Sequence, residues 1–374
     1  GFSFEYSATF GQAMKAANKP ALTQEYARCI LVDYSYKYFY EDGYGKDYHI
    51  RNLSEEQNEE QRRVYLTAGL LAFYQQQRLY ADRKTSFAPF LIEKPLWIFV
   101  GGSVNAVRTE NKRAVSDVLD VLLFFDRFVR ERQESVAFID RLLNGDPGLN
   151  DERGRPIFAG AFGYLIKQHA TPAAHYEGIL RTLFNSDSEA ALHVDNLKGA
   201  EGELGIRVGE NDYFGVINVG DETKLLKLCQ EQGLPTQDKD FSKSLFANLN
   251  SGDSPVNLLI GSRKFSEGWS SWRVSTMGLM NIGKSEGSQI IQLFGRGVRL
   301  KGYEFCLKRS TRLSDVKAPE HVGILETLNV IGVHADYMKQ FKEYLEEEGL
   351  PANEQRTQFI LPVVRNLNGR KLKT

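Results

Sequence analysis

Residues 288–300, with the sequence SQIIQLFGRGVRL, hold the side chains best suited to chemistry. A helical reading places four of them on one face, at intervals of three and four residues: Gln292, Gly295, Arg296 and Arg299. Two guanidiniums one turn apart suit a chain of phosphates, because each is a planar fork of donors that keeps its charge. The apolar residues fall on the other side, so we predict a helix with one buried face and one ligand-facing face.

Two glycines, Gly295 and Gly297, interrupt this helix. Each costs about 1 kcal/mol relative to alanine inside a helix. Their retention beside two arginines indicates that another group approaches the helix backbone closely. A surface helix with two hydrated arginines is the simpler reading of such a segment taken alone, so its neighbours must decide.

A second phosphate-binding pattern lies directly upstream. Residues 278–285, GLMNIGKS, match the loop pattern G-x-x-x-x-G-K-[ST] between a predicted strand and a predicted helix. Such a loop would hold phosphates with backbone N–H groups and Lys284. Downstream, only a poor strand at residues 330–333, leading to Asp336, could supply an acidic magnesium ligand. We therefore treat a self-contained nucleotide site at this loop as the minority hypothesis.

The composition limits the class of protein. The chain has 374 residues, 42% of them hydrophobic, which is enough for more than one domain. A formal net charge of −1 gives no overall attraction to nucleic acid, so any such binding must use local patches. The cysteines and histidines show no metal-ligand spacing, and we expect no metal bound by them. No apolar run is long enough to span a membrane, and we predict a cytoplasmic protein.

The order of elements predicts an α/β domain with a parallel sheet from about residue 91. Its predicted strands are residues 96–100, 213–219, 256–260 and 274–280. Its predicted helices are residues 109–132, a helix from Thr171, and residues 222–232. Residues 140–210 are too long for a simple crossover, so we interpret them as an insertion that contains a hairpin at 192–208.

The two ends of the chain follow a different pattern. Residues 1–90 predict a short strand at 2–6, a hairpin at 28–51 and a long helix at 55–80. Residues 301–374 predict an α+β extension of short strands with one strong helix at 335–348. The first residues lack a methionine and read as the middle of a domain, so we expect the chain to be part of a longer protein.

Three segments carry a family resemblance. Ser7-Ala8-Thr9, residues 262–269 (SRKFSEGW) and residues 292–299 (QLFGRGVR) each follow a predicted strand, where open α/β sheets bind ligands. In this order they resemble motifs III, V and VI of superfamily 2 helicases and translocases. With YSATF and the late LNVIGVHADYMKQFKEYLEEEGL, the chain most resembles the Res subunit of type III restriction enzymes and its DEAD/DEAH-box relatives.

The resemblance implies a RecA-like fold and an ATP-dependent motor. Residues 1–90 would end the first RecA-like domain, residues 91–300 would form the second, and residues 301–374 would be the extension. ATP and Mg²⁺ would bind between the domains, and the upstream RecA-like domain of the same protein would supply the phosphate loop and magnesium ligands. Alone, this chain would then be inactive. Its partners would be double-stranded DNA and a modification or specificity subunit.

The resemblance also implies roles for individual residues. Arg299 would be the finger that stabilises charge on the transferred phosphoryl group, with Arg296 beside it on the phosphates. Gln292 would position the attacking water or a phosphate oxygen. The nucleotide would also meet Glu267, Gly268 and Gly295. Ser7, Ala8 and Thr9 would couple hydrolysis to domain movement.

We also expect a DNA-binding surface in the loops, and the chain departs from the family pattern at one position. Loops after strands could hold DNA phosphates through backbone amides and basic side chains, namely Gly102, Ser103, Asn105, Arg263 and Lys264, although hydrated loop charges explain them equally well. Ser270 stands where the family pattern E-G-W-D has its carboxylate, which leaves the role of that segment open. The alternative is a non-catalytic module that binds nucleic acid or a partner.

Overall fold

The structure is a computed structural model. It describes residues 4, 6–7, 14, 17–32, 34–51, 58–101, 108–110, 113–145, 147–151, 154–218, 222–240, 244–261, 269–280, 287–333, 335–347 and 349.

The strands form one large sheet and one small hairpin. In chain order the strands are β1 (Asp47–Arg51), β2 (Leu96–Gly101), β3 (Arg108–Glu110), β4 (Arg113–Val115), β5 (Leu192–Leu197), β6 (Glu203–Val208), β7 (Gly215–Asn218), β8 (Thr236–Lys239), β9 (Leu258–Gly261), β10 (Val274–Met280) and β11 (Thr327–Gly332). The large sheet has nine strands in the order β1-β11-β10-β2-β9-β7-β6-β5-β8. In it β6 runs antiparallel to both neighbours, and the other neighbouring pairs are parallel. The α/β class with a mostly parallel sheet is therefore confirmed.

Helices cover both faces of this sheet. They are α1 (Pro20–Ala27), α2 (Tyr36–Glu41), α3 (Glu59–Phe87), α4 (Asp117–Arg130), α5 (Arg132–Asn144), α6 (Gly163–Lys167), α7 (Pro172–Leu183), α8 (Glu222–Glu231), α9 (Gly287–Gly297), α10 (Val322–Leu325) and α11 (Ala335–Glu347). Short 3-10 helices lie at Ala88–Phe90, Tyr303–Phe305 and Ser310–Arg312. None of the helices in the described parts of the chain is both long and apolar enough to cross a membrane.

The central strand β2 shows how the two cores are divided. Trp97 and Phe99 belong to a core that also contains α3, α4 and α7. Ile98 and Val100 belong to a second core, with α9 and α11. Successive side chains of a strand point to opposite faces, so a continuous apolar run serves both layers at once.

Adjacent parallel strands bring their carboxyl ends to one edge of the sheet. Met280 of β10 lies opposite Gly101 of β2, and Asn218 of β7 lies opposite Gly261 of β9. Because β9 pairs with β2, the chain leaves β10, β2 and β9 at the same edge. This is the edge at which open α/β sheets bind their ligands.

Several predicted elements are confirmed with small changes of boundary. The hairpin at 192–208 is the antiparallel pair β5–β6. The helix at α7 has Pro172 in its first turn, and the Thr171 side chain accepts a hydrogen bond from the Ala174 N–H at 3.2 Å. β10 covers the predicted residues, and α8 and α11 each end one residue earlier than predicted.

The predicted hairpin at residues 28–51 is wrong. Tyr36–Glu41 is the helix α2, and β1 pairs in parallel with β11 rather than with the residues before it. The aromatic residues that suggested a strand instead use helical spacing, because Tyr36 and Tyr40 both pack into an aromatic cluster. Tertiary packing thus overrides the β-propensity of this segment.

The predicted helix at 109–132 is wrong in its first turns. Arg108–Glu110 pairs antiparallel with Arg113–Val115, and α4 starts only at Asp117. Ser116 caps α4 by accepting a hydrogen bond from the Leu119 N–H at 3.2 Å. The long helix α3 likewise starts later than predicted, after the cap Asn58, and extends to Phe87.

The prediction that residues 330–333 form only a poor strand is also wrong. β11 is buried over most of its length and lies between β1 and β10 inside the sheet. One reason against a nucleotide site at residues 278–285 is thereby removed. Asp336 lies on α11, after β11.

The sheet takes strands from all three predicted segments of the chain. β1 comes from residues 1–90, and β11 comes from residues 301–374. Nor is the hairpin of the predicted insertion separate, since β5 and β6 are strands of the same sheet. The sheet itself is therefore continuous across residues 90 and 300, while the assignment of the three segments to motor domains stays a prediction. The predicted strand at residues 2–6 falls mostly outside the described residues, and Phe4 and Tyr6 are not in a strand.

Candidate arginine site

Helix α9 has the two faces that its sequence predicts. Ile291, Phe294 and Val298 are buried, Gln292 and Arg299 are exposed, and Arg296 is half-buried. Arg299 lies two residues beyond the end of the helix, and its backbone N–H donates to the Arg296 carbonyl at 3.4 Å. The polar residues therefore remain on the accessible side.

An aromatic cluster fixes the buried face of α9. The Phe294 ring meets the rings of Tyr48, Phe341 and Tyr36 edge-on, with centroids 5.3, 5.5 and 5.6 Å away. Each such contact adds about 0.5–1.5 kcal/mol beyond the burial of area. Since these rings come from α2, β1 and α11, elements before and after α9 in the sequence hold the helix that carries Arg296.

Both arginines reach back to consecutive residues of the segment that follows β9. Arg296 Nη1 donates to the Trp269 carbonyl at 3.0 Å, and Arg299 Nη1 donates to Ser270 Oγ at 2.5 Å. The Trp269 ring is half-buried and packs against Phe246, with centroids 6.1 Å apart, which favours a structural role for this tryptophan. The predicted motif V and motif VI segments are thus in direct contact.

The two guanidiniums influence each other electrostatically. Burial, and secondly the positive charge of Arg299, lower the pKa of Arg296 from its usual range. Among the described residues, Arg299 has the Ser270 hydroxyl as its partner and no carboxylate within ion-pair distance. An anion beside both guanidiniums would be attracted by two positive charges and would reduce their mutual repulsion.

The two glycines of α9 differ in their surroundings. A Cβ on Gly297 would meet Leu328 Cδ2 at 3.0 Å and Met277 Cε at 3.2 Å, whereas a Cβ on Gly295 would meet no described atom within 4 Å. The expected close approach is therefore real at Gly297, where the sheet supplies it. At Gly295 the described residues leave the backbone uncovered.

Most of the other predicted site residues lie outside the described residues. These are Ala8, Thr9, Gly102, Ser103, Asn105, Arg263, Lys264, Glu267, Gly268 and Lys284. Ser7 is described and exposed. The residues that the structure does bring together are Arg296 and Arg299, with Gln292 on the same helix. Among the described residues, no group of His, Cys, Asp and Glu side chains could hold a metal ion.

Sequence reasoning missed the acceptor role of Ser270. The available signal was its position, four residues before the strand β10 that leads into the arginine helix, together with its departure from the family's carboxylate. Comparisons of the chain with protein-family models, curated proteins and solved structures found no match. Function therefore has to be argued from the arginine site and the sheet that carries it.

Proposed function

We propose that this chain is the arginine-bearing half of an ATP-dependent DNA helicase or translocase of the restriction-enzyme Res type. The observation that carries the proposal is the arginine pair, which α9 presents after β10 and which bonds to residues 269 and 270. The sheet order supports it, because β10, β2 and β9 are neighbouring parallel strands. The predicted motif V and VI segments thus follow strands of one mostly parallel sheet, as a RecA-like domain would require.

In this proposal each polar residue of α9 has a separate task. Arg299 is exposed and stabilises negative charge that builds up on the transferred phosphoryl group. Arg296 binds a neighbouring phosphate, and Gln292 orients the attacking water. ATP with Mg²⁺ supplies the reactive phosphate, and the phosphate loop and magnesium ligands come from an upstream RecA-like domain.

The proposed DNA track uses the carboxyl edge of the same sheet. Residues 102–107 follow β2, and residues 262–268 follow β9. They contain Ser103, Asn105, Arg263 and Lys264, whose donors suit DNA phosphates and carry no sequence information. A protein that binds only phosphates in this way could move along DNA without reading its sequence.

The test is DNA-stimulated ATP hydrolysis by a longer protein that includes the upstream domain. Arg299→Ala should lower kcat by about 10³-fold or more, the range expected for such a residue in phosphoryl transfer. Arg78→Ala is the matched control, because Arg78 is an exposed arginine paired with Asp82 on α3. Its turnover should stay at the wild-type level.

Other outcomes would select the competing hypotheses. DNA binding by the longer protein without any ATP turnover would favour the non-catalytic module. Turnover by the present chain alone, abolished by Lys284→Ala, would favour the nucleotide site at residues 278–285. The buried strand β11 beside β10 is the observation that favours measuring turnover by the chain alone.

A further inference from the structure

Ser270 holds Arg299 through a hydroxyl at a fixed place. The Ser270 carbonyl accepts a hydrogen bond from Asn250 Nδ2 at 3.0 Å, and the neighbouring Trp269 carbonyl accepts one from Arg296. The backbone of residues 269 and 270 is therefore tied down on both sides of the contact. An exposed arginine, which would otherwise sample many rotamers, is directed by this hydroxyl to one of them.

We propose that Ser270 is a positioning residue that keeps Arg299 ordered for a polyphosphate anion without pairing the guanidinium with a negative charge. A guanidinium has five N–H donors, and a hydroxyl that accepts one of them leaves the rest available. A carboxylate at the same place would form a two-pronged ion pair with the guanidinium and cancel its charge. The inference rests on the proposed function only in taking the anion to be the phosphate chain of a nucleotide.

Three substitutions at residue 270 separate its two properties, namely that it offers a hydrogen-bond acceptor and that it carries no negative charge. Ser270→Ala removes the acceptor and leaves the charge, so Arg299 must be ordered on binding, which weakens anion binding about 3–10-fold. Ser270→Asp keeps an acceptor but neutralises Arg299, and we expect a loss of about tenfold or more. Ser270→Thr keeps the neutral hydroxyl and should bind within about twofold of the wild type.

The experiment is calorimetric titration of the chain with inorganic tripolyphosphate at low ionic strength. Ser314→Asp controls for the added negative charge, because Ser314 is exposed and belongs to a different loop. Arg299→Ala identifies the anion site itself. Equal urea midpoints establish that the variants are folded, and the Ala and Thr variants alone suffice if Ser270→Asp does not fold.

The role of Ser270 and the anion site at Arg299 are tested by different outcomes. Weak binding by Arg299→Ala together with wild-type binding by Ser270→Ala and Ser270→Asp would overturn the role of Ser270 and leave the proposed function standing. Unchanged binding by Arg299→Ala would remove the anion site and with it both proposals. Loss of binding in Ser270→Thr as large as in Ser270→Ala would also overturn the inference, because the hydroxyl would then not be what matters.

Discussion

Arginine is used in opposite ways in two parts of this molecule. Near the amino ends of the strands, Arg273 and Arg309 are only 3% and 5% exposed. On the arginine helix, Arg296 is half-buried and Arg299 is exposed. The same side chain is a structural clamp in the first region and is available to a ligand in the second.

The partners explain the difference. Arg273 donates to the backbone carbonyls of Lys94, Leu249 and Val256, and Arg309 donates to those of Tyr40, Tyr44 and Gly45. The Tyr40 carbonyl lies on α2 and also accepts from the Gly43 N–H. The other five carbonyls lie outside the helices and strands, and a buried acceptor left there without a donor is costly. Arg299, by contrast, has a single hydroxyl partner among the described residues. A guanidinium whose donors are bonded to backbone carbonyls stabilises the fold, whereas one with donors still available can bind an anion.

The largest expected effect is on the clamp. Arg273→Ala should lower the free energy of unfolding by about 3–5 kcal/mol, because it strands three backbone carbonyls. Arg299→Ala should change it by less than about 0.5 kcal/mol, as expected for an exposed side chain. Urea unfolding followed by tryptophan fluorescence measures both. Equal losses of unfolding free energy in the two variants would contradict the distinction between Arg273 as a structural clamp and Arg299 as a residue available to a ligand.

The next effect concerns the pH dependence of the same clamp region. Lys46 is buried, and its Nζ donates to the Trp272 and Val274 carbonyls, on either side of Arg273. Burial lowers the pKa of Lys46 from 10.5 to about 8. Between these pH values the unfolded chain binds a proton that the folded chain does not, so stability rises with pH. The rise can reach about 3 kcal/mol and is absent below pH 8.

The measurement is the difference in unfolding free energy between wild type and Lys46→Met from pH 7 to 10. Titrating groups other than Lys46 are common to both proteins and cancel in this difference. We expect the unfolding free energy of the wild type to increase relative to that of Lys46→Met as the pH rises above about 8. A difference that stays flat would show that Lys46 keeps an ordinary pKa and is hydrated in the folded protein.

The sequence predicts the layers of this fold better than its contacts. β2 and β10 are continuous apolar runs, and such runs are typical of strands buried on both faces. α2 could not be predicted, because its aromatic residues pack against Phe294, which is far away in sequence, and against Tyr48 of the strand that follows. β11 was predicted only as a poor strand at residues 330–333, because its asparagine and glycine weaken the local pattern. Its burial between β1 and β10 depends on the fold and is not visible locally.

The candidate site shows the same limit. The spacing of Arg296 and Arg299 indicates a shared face because it follows from helix geometry alone. The anchoring of both to Trp269 and Ser270 joins two segments through the fold, and no local pattern encodes it. The clamp role of Arg273 and Arg309 was likewise not visible, because backbone carbonyls are the same in every sequence.

The smallest expected effect extends the comparison to the backbone of the arginine helix. Gly297→Ala pushes against the ends of Leu328 and Met277 and should lower stability by about 1 kcal/mol. Gly295→Ala meets no atom of the described residues within 4 Å, so it should raise stability by up to about 1 kcal/mol through the better helix propensity of alanine. If an anion approaches the backbone between Gln292 and Arg296, the same methyl group should weaken tripolyphosphate binding although the fold is more stable. A Gly295→Ala protein that is stabilised and binds as the wild type does would show that the anion keeps to the guanidiniums, and that this glycine serves no ligand.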